Sequence, residues 1–165
     1  MKPFLVLCLG NEVLSDDAVG PVVAQKLVLE QSLSELTEVI FAPVAGFFLL
    51  DLMNERQAVL IVDSITTDVA APGTIHFFPA GLLTPSNGLI NSHQISLPTA
   101  LKFGKKMGYR MPQEIDILAI EIEDNTTLSE QLTEKVAGSV DIVLEKIKFW
   151  LNLKKNELVK EKKAV

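Results

Sequence analysis

Phe4–Pro21 reads FLVLCLGNEVLSDDAVGP. Its first six residues are continuously apolar, which suits a strand buried on both faces, as in parallel sheets. Gly10-Asn11 ends the run and a polar loop follows. Gly20-Pro21 then opens a helical pattern in which Val19, Val22, Val23 and Leu27 recur at helical spacing. Proline suits a first helical turn because its missing N–H would go unused there. Strand, loop and helix in that order make the first unit of an α/β fold.

The same reading extends along the chain. A second strand is expected at Glu38–Val44 (EVIFAPV), then a short helix from about Gly46 to Asn54. Ala58–Ile65 (AVLIVDSI) is the clearest buried strand, with Asp63 near its C-terminal end. Ala71-Pro72-Gly73 turns into Thr74–Phe78, a strand at a hairpin or sheet edge, and Gly81–Asn91 reads as a loop. A helix follows His93, its start obscured by Pro98, and stops at Gly108 after Lys105 and Lys106 in its last turn. Ile115–Ile122 (IDILAIEI) is the last strand. In the final helix Leu132, Val136, Val140, Val143, Ile147 and Trp150 share one face, with Thr127 or Ser129 as N-cap. Alternating strands and helices predict a three-layer α/β sandwich. Residues 1–153 form one domain in this reading, and 154–165 a charged, frayed tail.

Composition narrows the function classes. The chain has 165 residues, 48% of them apolar, enough to fill a core. Net charge is -6, and five lysines lie in the last fourteen residues, so the body is more acidic still. Such a body repels phosphate backbones, which argues against a nucleic-acid role. The single cysteine, Cys8, cannot form an internal disulfide. Lys2 ahead of an apolar stretch mimics a signal peptide, but acidic residues follow with no small-x-small cleavage site. No stretch approaches the roughly 20 apolar residues of a membrane span. A cytoplasmic monomer without membrane attachment is the expectation.

Ligands of open α/β sheets bind beyond the C-terminal strand ends. Asp17 lies in the loop after the first strand, Asp63 ends the third, and His93 precedes a helix. Two carboxylates and an imidazole suit a divalent ion such as Zn²⁺ or Ni²⁺ and leave positions for water or a partner's ligands. Spacing alone leaves other readings open. Asp17 fits a helix cap, Asp63 a ligand of loop amides, His93 an exposed first-turn residue, and Asp16 and Glu12 compete with Asp17. His76, in the GTIHFF run, reads as structural, and Cys8 as a buried strand residue. There is no G-x-S-x-G elbow, G-x-G-x-x-G or P-loop lysine.

Several blocks together resemble the hydrogenase maturation protease family. GNEVLSDDAVGP resembles its GN-four-residues-DDG-x-GP signature, LIVDSI its strand ending in Asp, and NSHQISL its Ser-His segment. APGTI, AGFFLLDL, LAIEIED and LSEQLTEKV follow in the family's order. The resemblance implies a phosphorylase/hydrolase-like sandwich with a five-stranded, mostly parallel sheet. It implies metal contacts at Asp17, Asp63 and His93. It also implies an endopeptidase that removes the C-terminal extension of a [NiFe]-hydrogenase large-subunit precursor. Nickel would be borne by that substrate, with no permanently bound cofactor. Two departures stand out: Ala18 replaces the glycine of DDG, and Phe41–Gly46 (FAPVAG) lacks the acidic residue many members carry. The second motivates a rival, a non-proteolytic assembly factor; a small-molecule-binding α/β module is another.

Overall fold

In the computed structural model, residues 1–30, 33–43, 46–83 and 97–163 are described. Strand β1 (Phe4–Leu9) is buried along its whole length because it is an interior strand of the sheet, paired on both sides. It pairs in parallel with β2 (Thr37–Ala42) on one side and β3 (Ala58–Ile65) on the other. β3 pairs in parallel with β5 (Glu114–Glu121), and β4 (Ile75–Pro79) closes the far edge antiparallel to β5. The order is β2-β1-β3-β5-β4. The chain thus leaves β1 to one side for β2 and returns to the other for β3, placing the topological switch point between β1 and β3. That is where open α/β sheets bind ligands.

Alternation along each strand sorts the core into two layers. Val6, Cys8, Leu60, Val62 and Leu118 face α1 (Val19–Leu29) and α4 (Glu134–Lys163), meeting Val23, Leu27, Val140 and Ile147. Leu5, Leu7, Val59, Ile61 and Ile117 face α2 (Phe48–Met53) and α3 (Leu97–Lys106), meeting Leu50, Met53 and Ala100. Both faces are covered, hence the unbroken apolar runs. The expected three-layer sandwich and its five-stranded, mostly parallel sheet are present, and the edge strand β4 runs antiparallel.

Two expectations are corrected. The last helix starts at Glu134, not near Thr127 or Ser129. The amide and hydroxyl of Thr133 both donate to Asp16, which fixes the helix start from a distant loop. Residues 154–163, expected as a frayed tail, continue α4 to Lys163. The apolar period runs on beneath the charges: Leu151 and Leu158 are both buried, seven positions apart. Lys154 is itself buried, with its ammonium 2.6 Å from Glu114 and 3.0 Å from Glu157. β2 runs to Ala42, next to Pro43, which has no N–H for the ladder, and Val44, its expected end, lies outside the described residues. Among the described residues no helix is long and apolar enough to cross a membrane.

Candidate active site

The loop after β1 is shaped by close backbone packing. Gly10 has φ +135, and a Cβ there would lie 2.1 Å from the Asp17 carbonyl oxygen. Asn11 N–H donates to that same oxygen at 3.1 Å. The loop ends in a 3-10 turn, Ser15–Ala18, that carries Asp16 and Asp17 into α1. Ala18 has φ -75 and ψ 0, a right-handed conformation open to any residue. The alanine that replaces the family's glycine therefore brings no backbone strain.

The two aspartates diverge completely. Asp16 is fully buried and accepts four hydrogen bonds, from the amides of Glu123, Asp124 and Thr133 and the Thr133 hydroxyl. A carboxylate so satisfied is an architectural anchor, tying the first loop to the segment between β5 and α4. Asp17 is half-buried, and its Oδ1 accepts from Ser64 Oγ at 2.5 Å. Among the described residues neither the 3-10 turn nor α1 has a side-chain cap. Glu12 is exposed.

Ser64 draws Asp17 toward the end of β3. Its own amide donates to Asp63 Oδ1 at 2.9 Å, so one residue contacts both carboxylates. Burial raises the Asp63 carboxyl from its ordinary 3.8 to about 7; the Ser64 amide opposes the rise and the Asp17 charge adds to it. Two acids at the switch point thus share one weakly compensated pocket of negative charge, an arrangement that favours a proton or a cation. Below them, burial first and the Asp63 charge second push the Cys8 thiol up to about 12, so it is no nucleophile near neutral pH. His93, the third expected member, lies outside the described residues. Among the described residues no group of three or more His, Cys, Asp or Glu side chains converges as a metal site.

Sequence reasoning missed two residues at this end of the sheet. Ser64 carries no signature beyond adjacency to Asp63. Glu121, at the end of β5, is 1% exposed and binds the Thr67 amide at 2.6 Å, its hydroxyl, and His76 Nε2 at 3.1 Å. Burial would raise this carboxyl, but the bonds from Thr67 and His76 outweigh it and hold the group below its usual range. The one sequence signal was an acidic residue closing the apolar run Ile117–Ile120.

Comparison with known proteins gives the family and the fold. The hydrogenase maturation protease family profile (HycI) matches residues 21–149. The chain is 28% identical over 148 residues to the hydrogenase 2 maturation protease of Escherichia coli, covering 87% of each. It is also 28% identical over 156 residues to a putative hydrogenase maturation protease of Methanocaldococcus jannaschii, covering 89% of this chain and 97% of that one. Among solved structures, the hydrogenase maturating endopeptidase HybD of E. coli superposes with a TM-score of 0.78 at 25% identity, over 92% of this chain and 93% of that one. The [NiFe] hydrogenase maturation protease HybD of Thermococcus kodakarensis, at 22% identity, shares the fold with a TM-score of 0.62 over 90% and 98%. The chain belongs to the hydrogenase maturation protease family and is a hydrolase of the endopeptidase kind.

Proposed function

We propose that the protein removes the C-terminal extension of a [NiFe]-hydrogenase large-subunit precursor once nickel has been inserted, and that it recognises the nickel itself. The observation that carries this reading is the Asp17–Asp63 pair, held by Ser64 at the switch point and left without a cationic partner among the described residues. A half-buried carboxyl beside a second one is unfavourable when ionised, and a divalent cation delivered by a partner removes that penalty. Nickel here belongs to the substrate. Asp17, Asp63 and His93 complete its coordination and thereby position the scissile bond. When bound, the ion supplies Lewis-acid polarisation of a carbonyl or of water. The same reading makes the enzyme a cytoplasmic monomer.

The test compares nickel-loaded with nickel-free precursor, each incubated with the protein and measured by intact mass. Loss of one C-terminal peptide from the loaded form alone supports the proposal. Equal cleavage of both forms refutes nickel recognition, and cleavage of neither refutes this choice of substrate.

A further inference from the structure

The Glu121–His76 pair takes no part in the reading above, yet it sits on the same side of the sheet. Side-chain alternation establishes this. Val59 and Ile61 belong to the layer under α2 and α3, so Asp63, two residues on, points the same way. Ile117 and Ala119 share that layer, and Glu121 continues their series. On β4, Phe78 packs into it, and His76 is its alternate neighbour. The register adds a second relation. Asp63 pairs with Ala119 and Ala119 with His76, so the three form one row across β3, β5 and β4.

The pair has an asymmetric build. Glu121 is buried to 2% side-chain exposure, whereas the imidazole it holds is 29% exposed. Thr67 occupies the carboxylate from the other side, so Glu121 has little capacity left for a ligand. His76 Nε2–H donates to the carboxylate, leaving Nδ1 without a partner among the described residues. A buried acid that orients a half-exposed imidazole resembles the support given to functional histidines elsewhere.

Resting on the endopeptidase reading of Asp17 and Asp63, we infer that His76 is a substrate-binding residue, its Nδ1 accepting a main-chain N–H of the precursor's C-terminal segment. Two interstrand spacings separate Asp63 from His76, roughly 10 Å between Cα atoms. An extended peptide covers that span in about three residues. A chain whose scissile bond is held at Asp63 therefore reaches His76 about three residues away, and the contact fixes which bond is presented.

The experiment is steady-state cleavage of nickel-loaded precursor by wild type, His76→Met and His76→Gln, with melting temperatures measured in parallel. Methionine keeps the bulk without the hydrogen bonds. Glutamine restores both, its amide donating to Glu121 and its oxygen accepting from the peptide. The expected result is a KM raised about tenfold in His76→Met, with kcat within about threefold of wild type and His76→Gln near the wild-type KM. An unchanged KM in a folded His76→Met overturns the inference. So does a KM raised equally in both variants, or a fall in kcat at unchanged KM, which would make the role structural or chemical. A wild-type enzyme that cleaves nothing overturns the proposed function and this inference together; a wild type that cleaves while His76→Met matches it overturns only this one.

Discussion

Asp16 and Asp63 are acids carried to the same end of the sheet, and their surroundings differ in kind. Asp16 receives three amides and a hydroxyl, so its charge is matched donor by donor. Asp63 receives the Ser64 amide, with the charge of Asp17 close enough to raise it. Burying a carboxylate is tolerable only where hydrogen bonds or counter-charge replace lost water. The first acid has its compensation built in; the second lacks it in the isolated chain. The difference separates a residue that builds the loop from one kept for something that arrives later.

The sharpest way to break this comparison is to remove the anchor. Asp16→Ala leaves the part-buried amides of Glu123, Asp124 and Thr133 without their acceptor and detaches the start of α4. A loss of about 3–5 kcal/mol is expected, seen as a melting temperature lower by about 10 °C. If Asp16→Ala melts within 2–3 °C of wild type, roughly the shift of 1 kcal/mol in a chain this size, the anchoring role is wrong.

Asp63→Asn should act in the opposite direction on stability. The substitution keeps an acceptor for the Ser64 amide and removes the poorly solvated charge. Because the folded carboxyl titrates near 7 and the unfolded one near 3.8, the native state binds the proton more tightly. Its contribution is therefore full below the unfolded value and is lost as pH rises through 7. The advantage of Asp63→Asn should accordingly grow between pH 4 and 7, level off above, and reach about 1–3 kcal/mol. Thermal melts at pH 5 and pH 8 decide this; a variant less stable than wild type at pH 8 contradicts the uncompensated charge.

The smallest effect concerns Ala18. Since its backbone is right-handed, restoring the family's glycine should gain nothing and cost about 0.5–1 kcal/mol through unfolded-state entropy. A more stable Ala18→Gly, measured by denaturant titration, would mean that the turn is strained after all.

Most of the fold was readable because burial on both faces leaves an unbroken apolar run, and β1 and β3 are such runs at the boundaries expected. The departures share one cause. What starts α4 is a side chain more than a hundred positions away, in contact with Thr133, and no local capping pattern encodes that. The tail was misjudged because charge density concealed the spacing of Leu151 and Leu158. At the site, Asp17 and Asp63 were identifiable as polar residues beyond strand ends. Their junction through Ser64 was not, since it depends on a tertiary contact spanning 47 positions. The burial of Glu121 beside His76 depends likewise on the antiparallel placement of β4.

The most direct test of the central claim is the intact mass of nickel-loaded large-subunit precursor after incubation with wild type, Asp17→Asn, Asp63→Asn and His93→Ala. The account predicts loss of a single C-terminal peptide with wild type. Each variant should be slowed at least about a thousandfold while remaining folded, in keeping with the removal of groups that position the reacting bond. Cleavage at wild-type rate by folded Asp17→Asn and Asp63→Asn would contradict it, placing the recognition site elsewhere on the sheet.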